Sequence, residues 1–490
     1  MPVPRLFLPF AILVSLGSLP LAHAAGGQLF YNRITAGGAT ALQRIDGDGT
    51  GDQTITLNLP SSLYPTVSRN GRVLMVTSPD PGRPFKLSQN VYAIDLATGN
   101  FGRATGYSDE FVLNGVRFDD DLAKFFGNTT ISSYKINFPF YKALSPDGSR
   151  VVVANLFKSG SINQGTPLDP TEVQASSGRF PLVDVYNLSD ALPAGAYVYL
   201  SPQERDGFNQ GGDGVDWHPG LNEVVAAVAS DIPATGTSGR TSMEGTVLAV
   251  FSPGSLSPFV RKLTNPVGQI DATFTGTQTI LTAFGPHDYA PSISPDGTRV
   301  AFVRHTLRQD SRFDGAGIAP LPAICAINVI NYNGSGDREV IRFVEGLWVT
   351  KVAWSPDGTQ IAFDLAPQQV LNGFNSQLGD PTQSSIHVVN ADGSNPRQLV
   401  AAPAAYPSWG AGVTVVVPPT PPTISIRPNG DQFDLVVGQL AVGTSFVVEG
   451  TTTLNGWGVL NTYTANATTL VIPITPNPTA AFAAYRVRLL

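Results

Sequence analysis

The residues best able to do chemistry here are scattered histidines, carboxylates and one amine. His218, His287, His305 and His387 all follow residue 24, and no two stand at the i, i+4 spacing that puts two imidazoles on one helix face for zinc. His287 is followed by Asp288 and Tyr289. Were the fold to bring that group beside Lys351, an acid, a base and a cation could act on a sugar. Asp46-Gly47-Asp48-Gly49-Thr50-Gly51-Asp52 alternates carboxylates as a calcium loop does, but its twelfth position is Leu57, where such a loop needs a bidentate Glu. No Gly-x-Ser-x-Gly elbow is present for a serine hydrolase. Cys325 is the sole cysteine and sits in the apolar run Ala323-Ile324-Cys325-Ala326-Ile327, so it reads as a buried thiol and no internal disulfide can form. No cofactor and no metal site is expected.

Any such chemistry depends on what positions these residues, and the chain is built from one repeated unit. Ser294-Pro295-Asp296-Gly297 precedes the apolar run Val300-Ala301-Phe302-Val303; Ser145-Pro146-Asp147-Gly148 and Ser355-Pro356-Asp357-Gly358 precede similar runs. Variant copies end in Asn70-Gly71 and in His218-Pro219-Gly220. Each predicts a hairpin, with Asp-Gly supplying the positive φ angles of a two-residue turn. A second motif follows the first: Asn390-Ala391-Asp392-Gly393, Asn331-Tyr332-Asn333-Gly334 and Asp46-Gly47-Asp48-Gly49 align without gaps. Two hairpins make a four-stranded meander. The same alignment explains the aspartates of 46–52 as turn residues.

The ends complete the pattern. The chain after residue 24 begins with a second motif that has no first hairpin, and Tyr406-Pro407-Ser408-Trp409-Gly410 starts a first hairpin that has no second. Joining them predicts a ring of six units in which both ends share one. These hairpins resemble the TolB-like six-bladed β-propeller repeats over residues 28–410. The resemblance implies an all-β fold, and the family's members serve as protein-binding modules, glycan-active enzymes and domains attached to peptidases. Turn glycines 71 and 148 lie 77 residues apart and 148 and 220 lie 72 apart, so insertions are expected at 108–138, 159–179, 195–212 and 308–322, as loops on one face.

Four residues before each turn serine the aligned positions are Tyr64, Tyr141, Gly214, Ala290, Lys351 and Tyr406. As starts of the innermost strands they are expected to ring one mouth of a central tunnel, with Asp213, His287, Asp288 and Tyr289 nearby. Aromatic and polar groups around a concavity suit a sugar or a peptide; the same tyrosines could instead pack between units. Replacing Tyr64 and Tyr141 by Ala separates the two, since a ligand role predicts little loss of stability. Trp217, Trp354 and Trp409, one position before each turn, read as core between units.

Residues 1–24 read as a secretory leader: Arg5, an apolar stretch too short to span a bilayer, and the small-residue end Ala22-His23-Ala24. Residues 411–422, rich in Pro, read as a stiff linker. Residues 423–490 alternate like strands and resemble the small β-sandwich modules at the C-termini of large exported bacterial proteins. Charged residues are 14% of the chain, and the formal charge of −7 becomes −8 once Arg5 leaves with the leader, without basic clusters. That balance argues against nucleic acid and anionic membrane surfaces as partners. The reading is an exported, monomeric, non-enzymatic binding or scaffold protein for a protein or glycan ligand, the alternative being a carbohydrate-active lyase or hydrolase at the tunnel mouth.

Overall fold

A computed structural model describes residues 26–57, 59–80, 83, 85–97, 101–163, 165–169, 178–187, 214–253, 259–274, 279–312, 324–370, 377–412, 423–429, 432–438, 445–451, 458–467, 469–474 and 484–489. The leader, Asp213, the 195–212 insertion and all of the linker but residues 411 and 412 lie outside them. Within them the chain is all-β, with one short 3-10 turn at Leu122–Phe125.

The repeated turn is a four-residue loop, which corrects the expected two-residue one. Ser294 N donates to Arg299 O at 2.8 Å and Gly297 N to Ser294 O at 2.9 Å. Pro295 fixes a negative φ that suits the second position of a type I turn, and Gly297 alone takes the left-handed conformation, at φ 74°. The serine and aspartate are consumed locally: Ser294 Oγ accepts from Arg299 N at 3.0 Å and Asp296 Oδ1 from Thr298 N at 3.1 Å. His218 does the serine's work in its copy, its Nδ1 accepting from Gly220 N and Leu221 N at 3.0 Å. The second motif is also a turn, Thr50 N donating to Asp48 Oδ1 at 2.8 Å and Ser394 N to Asp392 Oδ1 at 2.9 Å.

These turns join antiparallel meanders. Leu63–Val67, Val73–Ser78, Asn90–Asp95 and Phe101–Arg103 form one, and Val352–Trp354, Gln360–Val370, Ser385–Asn390 and Arg397–Val400 another. At the ends Ala405–Gly410 pairs with Gln28–Ile34, Trp409 opposite Leu29, ahead of Thr40–Asp46 and Gln53–Ile55. Because strands alternate in direction, the Ser-Pro-Asp-Gly turns lie at one end of the inner strands, and the links from second to third strands lie at the other.

At that other end the 108–138 insertion contains a ribbon rather than only a loop. Glu110–Leu113 and Val116–Asp119 form a hairpin that extends the Ile131–Leu144 strand. Gly268–Phe274 and Thr279–Ile293 form another, which joins two meanders through short parallel pairings at Ala234 with Gly268 and Thr246 with His287.

Second strands such as Val151-Val152-Val153 and Val300-Ala301-Phe302-Val303 are wholly buried, as continuous apolar runs covered on both faces must be. Trp217, Trp354 and Trp409 lie in the core, as expected. Arg150 stacks over Trp217 and Arg299 over Trp354, each at 4.7 Å, so the arginine after one turn clamps the tryptophan of the next copy. In the C-terminal part, Thr423–Asn429, Gln432–Gly438 and Thr469–Ile474 form one sheet, and Gly458–Thr464, Ser445–Thr451 and Ala484–Leu489 a second. Both contribute to one core containing Leu435, Val437, Phe446 and Val448.

Candidate functional site

Four of the six aligned positions upstream of the turns have a positive φ. Tyr64, Ala290 and Tyr406 have φ of 53°, 49° and 62°, and Gly214 has 139°. Left-handed backbone costs a residue with a Cβ about 1–2 kcal/mol, so something must hold it. The second strand of the preceding copy supplies the hold: Asn32 Oδ1 accepts from Tyr64 N at 2.9 Å, and Asp364 Oδ2 from Tyr406 N at 3.0 Å. At Gly214 a Cβ would come within 2.6 Å of Ala290 Cα, so only glycine passes there.

The side chains at these positions fill the centre, where an open ring was expected. Tyr64 packs on Tyr406 at 4.4 Å and edge-on against Phe140 at 4.5 Å. Tyr141 crosses to the far side, its hydroxyl donating to Thr350 O at 2.9 Å, and the small Gly214 and Ala290 stand at the equivalent positions of two other copies. Lys351 Nζ donates to Pro65 O at 2.7 Å and to Thr66 Oγ1 at 3.2 Å. Next to Tyr141, the buried Lys142 Nζ donates to Tyr64 O at 2.7 Å, Thr77 Oγ1 at 2.8 Å and Phe140 O at 3.2 Å.

Toward the Ser-Pro-Asp-Gly end, a cavity of about 100 Å³ is lined from six inner-strand segments, by residues that include Thr66, Lys142, Asp216, Ser292, Lys351 and Ser408. Arg69 spans it, its guanidinium donating to Ile293 O at 2.7 Å, Trp217 O at 2.8 Å and Asp216 Oδ2 at 3.0 Å.

Burial sets the electrostatics. It drives the Lys142 ammonium well below the ordinary lysine range, with the charge of Lys351 adding to the effect. It pushes Lys351 down to about 8, partly offset by Asp364 and Asp216. It raises the Asp364 carboxyl, against the pull of three backbone donors, Tyr406, Lys351 and Thr350.

The expected group around His287 does not assemble. Asp288 faces away from the cavity: it is wholly buried and held by Arg304, Nε to Oδ1 at 2.6 Å and Nη2 to Oδ2 at 2.8 Å. Burial raises its carboxyl and the guanidinium pulls it back. His287 Nδ1 meets Thr246 Oγ1 at 3.1 Å, and burial pushes its imidazole down to about 4. The Tyr289 hydroxyl is shared between Val349 O and His305, whose Nε2 lies 3.1 Å from Cys325 Sγ. That Cys–His contact is structural, since burial raises the thiol pKa far above its ordinary value and a nucleophile needs the thiolate. Of the expected site residues Lys351 lines the cavity, Tyr64, Tyr141 and Tyr406 pack above it, and His287, Asp288 and Tyr289 are absorbed in packing. Sequence reasoning missed Lys142, Arg69, Asp216 and Asp364.

Among the described residues no group of three or more His, Cys, Asp or Glu side chains converges to hold a metal ion. No helix among them is long and apolar enough to cross a membrane. The chain is all-β, and its structural neighbours are TolB and other β-propeller proteins. TolB from Acinetobacter baumannii is 14% identical, with a TM-score of 0.42 over 79% of this chain and 67% of that one. The β-propeller domain of the trilobed protease from Pyrococcus furiosus is 8% identical, with a TM-score of 0.33 over 77% and 93%. Oligogalacturonate lyase from Vibrio parahaemolyticus is 13% identical, with a TM-score of 0.29 over 84% and 95%. Neither a protein-family model nor a curated protein matches the chain.

Proposed function

We propose that residues 28–410 form a six-bladed β-propeller, closed where Ala405–Gly410 pairs with Gln28–Ile34, and that residues 423–490 form an accessory β-sandwich. The leader-like residues 1–24 support export. The protein works as a non-enzymatic binding module, and its ligand is another protein seated on the ribbon-bearing face.

One observation carries this reading. Phe85 (52% exposed), Val116 (57%), Phe274 (72%) and Val344 (73%) all lie in connections that leave the end of the inner strands opposite the Ser-Pro-Asp-Gly turns. Large apolar side chains recurring on one face mark a surface that another protein covers. The centre supports the same choice. Its volume of about 100 Å³ is well below the roughly 300–1,000 Å³ of an ordinary ligand pocket. The lyase or hydrolase reading needs His287, Asp288 and Lys351 around one substrate, and Arg304 and Thr246 already hold the first two.

The test is affinity capture with tagged protein from the fraction into which it is exported. Wild type and Leu221→Asp, altered at the turn end, should retain the same protein in stoichiometric amount, and a Phe274→Asp, Val344→Asp double variant should lose it. Equal retention by all three, or retention of a glycan alone, contradicts the reading.

A further inference from the structure

Two lysines meet in the central cavity, and among the described residues neither is within ion-pair distance of a carboxylate. Lys142, 3% exposed, spends its three protons on neutral oxygens of Tyr64, Thr77 and Phe140. Lys351 donates twice, also to neutral oxygens. Among the described residues neither ammonium forms an ion pair with a carboxylate, and Asp364 and Asp216 act on Lys351 only from farther away. Buried cations are ordinarily paired, because desolvation is otherwise uncompensated. The charge of Lys351 also acts against an ammonium at Lys142.

The remaining polar atoms of the cavity have protons to give. Ser408 Oγ accepts from Val67 N at 2.9 Å and keeps its hydroxyl proton to give. Asp216, the one carboxylate in the lining, is occupied: Oδ1 accepts from Trp217 N at 2.8 Å, and Oδ2 from Ile293 N at 2.6 Å and Arg69 Nη2 at 3.0 Å. Donors and positive charge exceed acceptors and negative charge, which is the complement of an anion.

We infer that the cavity binds one small monovalent anion, a halide or a carboxylate the size of formate or acetate, held by the Lys351 ammonium, which has one proton left to donate. A volume of about 100 Å³, well below the roughly 300–1,000 Å³ of an ordinary ligand pocket, suits ions of this size.

The test uses the full chain after leader removal. Crystals soaked in sodium bromide should give an anomalous peak in the cavity, absent in Lys351→Met. In solution at constant ionic strength, chloride should raise the melting temperature relative to gluconate, which is too large to enter. Acetate that stabilises more than chloride identifies a carboxylate site, and the reverse order a halide site. Lys351→Arg keeps the charge, guarding against misfolding of the methionine variant, and should retain the bromide peak. Bromide confined to the outer surface, together with a wild-type melting temperature that is the same in chloride, acetate and gluconate, overturns the inference.

Discussion

Arg69, at the turn of one meander, donates to Asp216 Oδ2 of another at 3.0 Å, across 147 residues of sequence. The same guanidinium bonds the carbonyls of Trp217 and Ile293, and Asp216 also takes the N–H of Ile293. One side chain therefore ties three inner strands together at the turn end of the cavity. Arg69→Ala should lower stability by about 1–2 kcal/mol, from the lost carbonyl bonds more than from the partly exposed ion pair. Urea unfolding measures it, and a change within error would show that the tie is dispensable.

Asp364 performs a similar task where the ends of the chain meet, accepting from Thr350, Lys351 and Tyr406. Asp364→Asn presents an amide donor to those N–H groups and removes the charge nearest Lys351. A loss of about 2–4 kcal/mol is expected, as for a broken buried network. Faster exchange of the amides of the Ala405–Gly410 and Gln28–Ile34 strands should accompany it; unchanged exchange there would separate Asp364 from closure.

Tyr64→Ala should destabilise by about 2–4 kcal/mol, because the ring fills space against Tyr406 and Phe140. Tyr141→Phe should cost about 1 kcal/mol, for the hydrogen bond to Thr350. Both outcomes reverse the small stability effect that a ligand role predicts. Thermal melts of the two variants decide, and near-wild-type values would restore the ligand reading.

Acid should destabilise the fold through its histidines. Burial lowers His287 to about 4 and His305 further, so between pH 6.5 and 4 the unfolded chain takes up protons that the folded chain refuses. Stability is then fully present above about 6.5 and falls as pH drops toward 4, by about 3 kcal/mol for His287. His287→Gln should flatten the wild-type profile over that window, and parallel profiles would show that His287 titrates normally.

The hairpins were legible because each turn repeats its chemistry, and the pairing of the ends followed from the missing half-units. The turn type was not, since the weight given to Asp-Gly ignored Pro295, whose ring fixes its own φ one position before Asp296. The aligned positions were found by register alone. What their side chains do was hidden because the partner of Tyr141 lies 209 residues away at Thr350. A signal was present for the missed residues: Lys142 interrupts Phe140-Tyr141-Lys142-Ala143-Leu144, and Asp364 interrupts Ile361-Ala362-Phe363-Asp364-Leu365. A charge inside an apolar strand run marks a buried polar network, as these two do. Asp288 misled because its neighbour His287 suggested a shared site, while its partner Arg304 lies on the adjacent strand.

The central claim is that the ribbon-bearing face holds a protein. Photo-crosslinking in the producing cells, from a reactive side chain placed at Phe274 and, at the turn end, at Leu221, tests it most directly. The account predicts one discrete protein adduct from position 274 and none from position 221. Adducts from 221 alone, or none from either position, would contradict it.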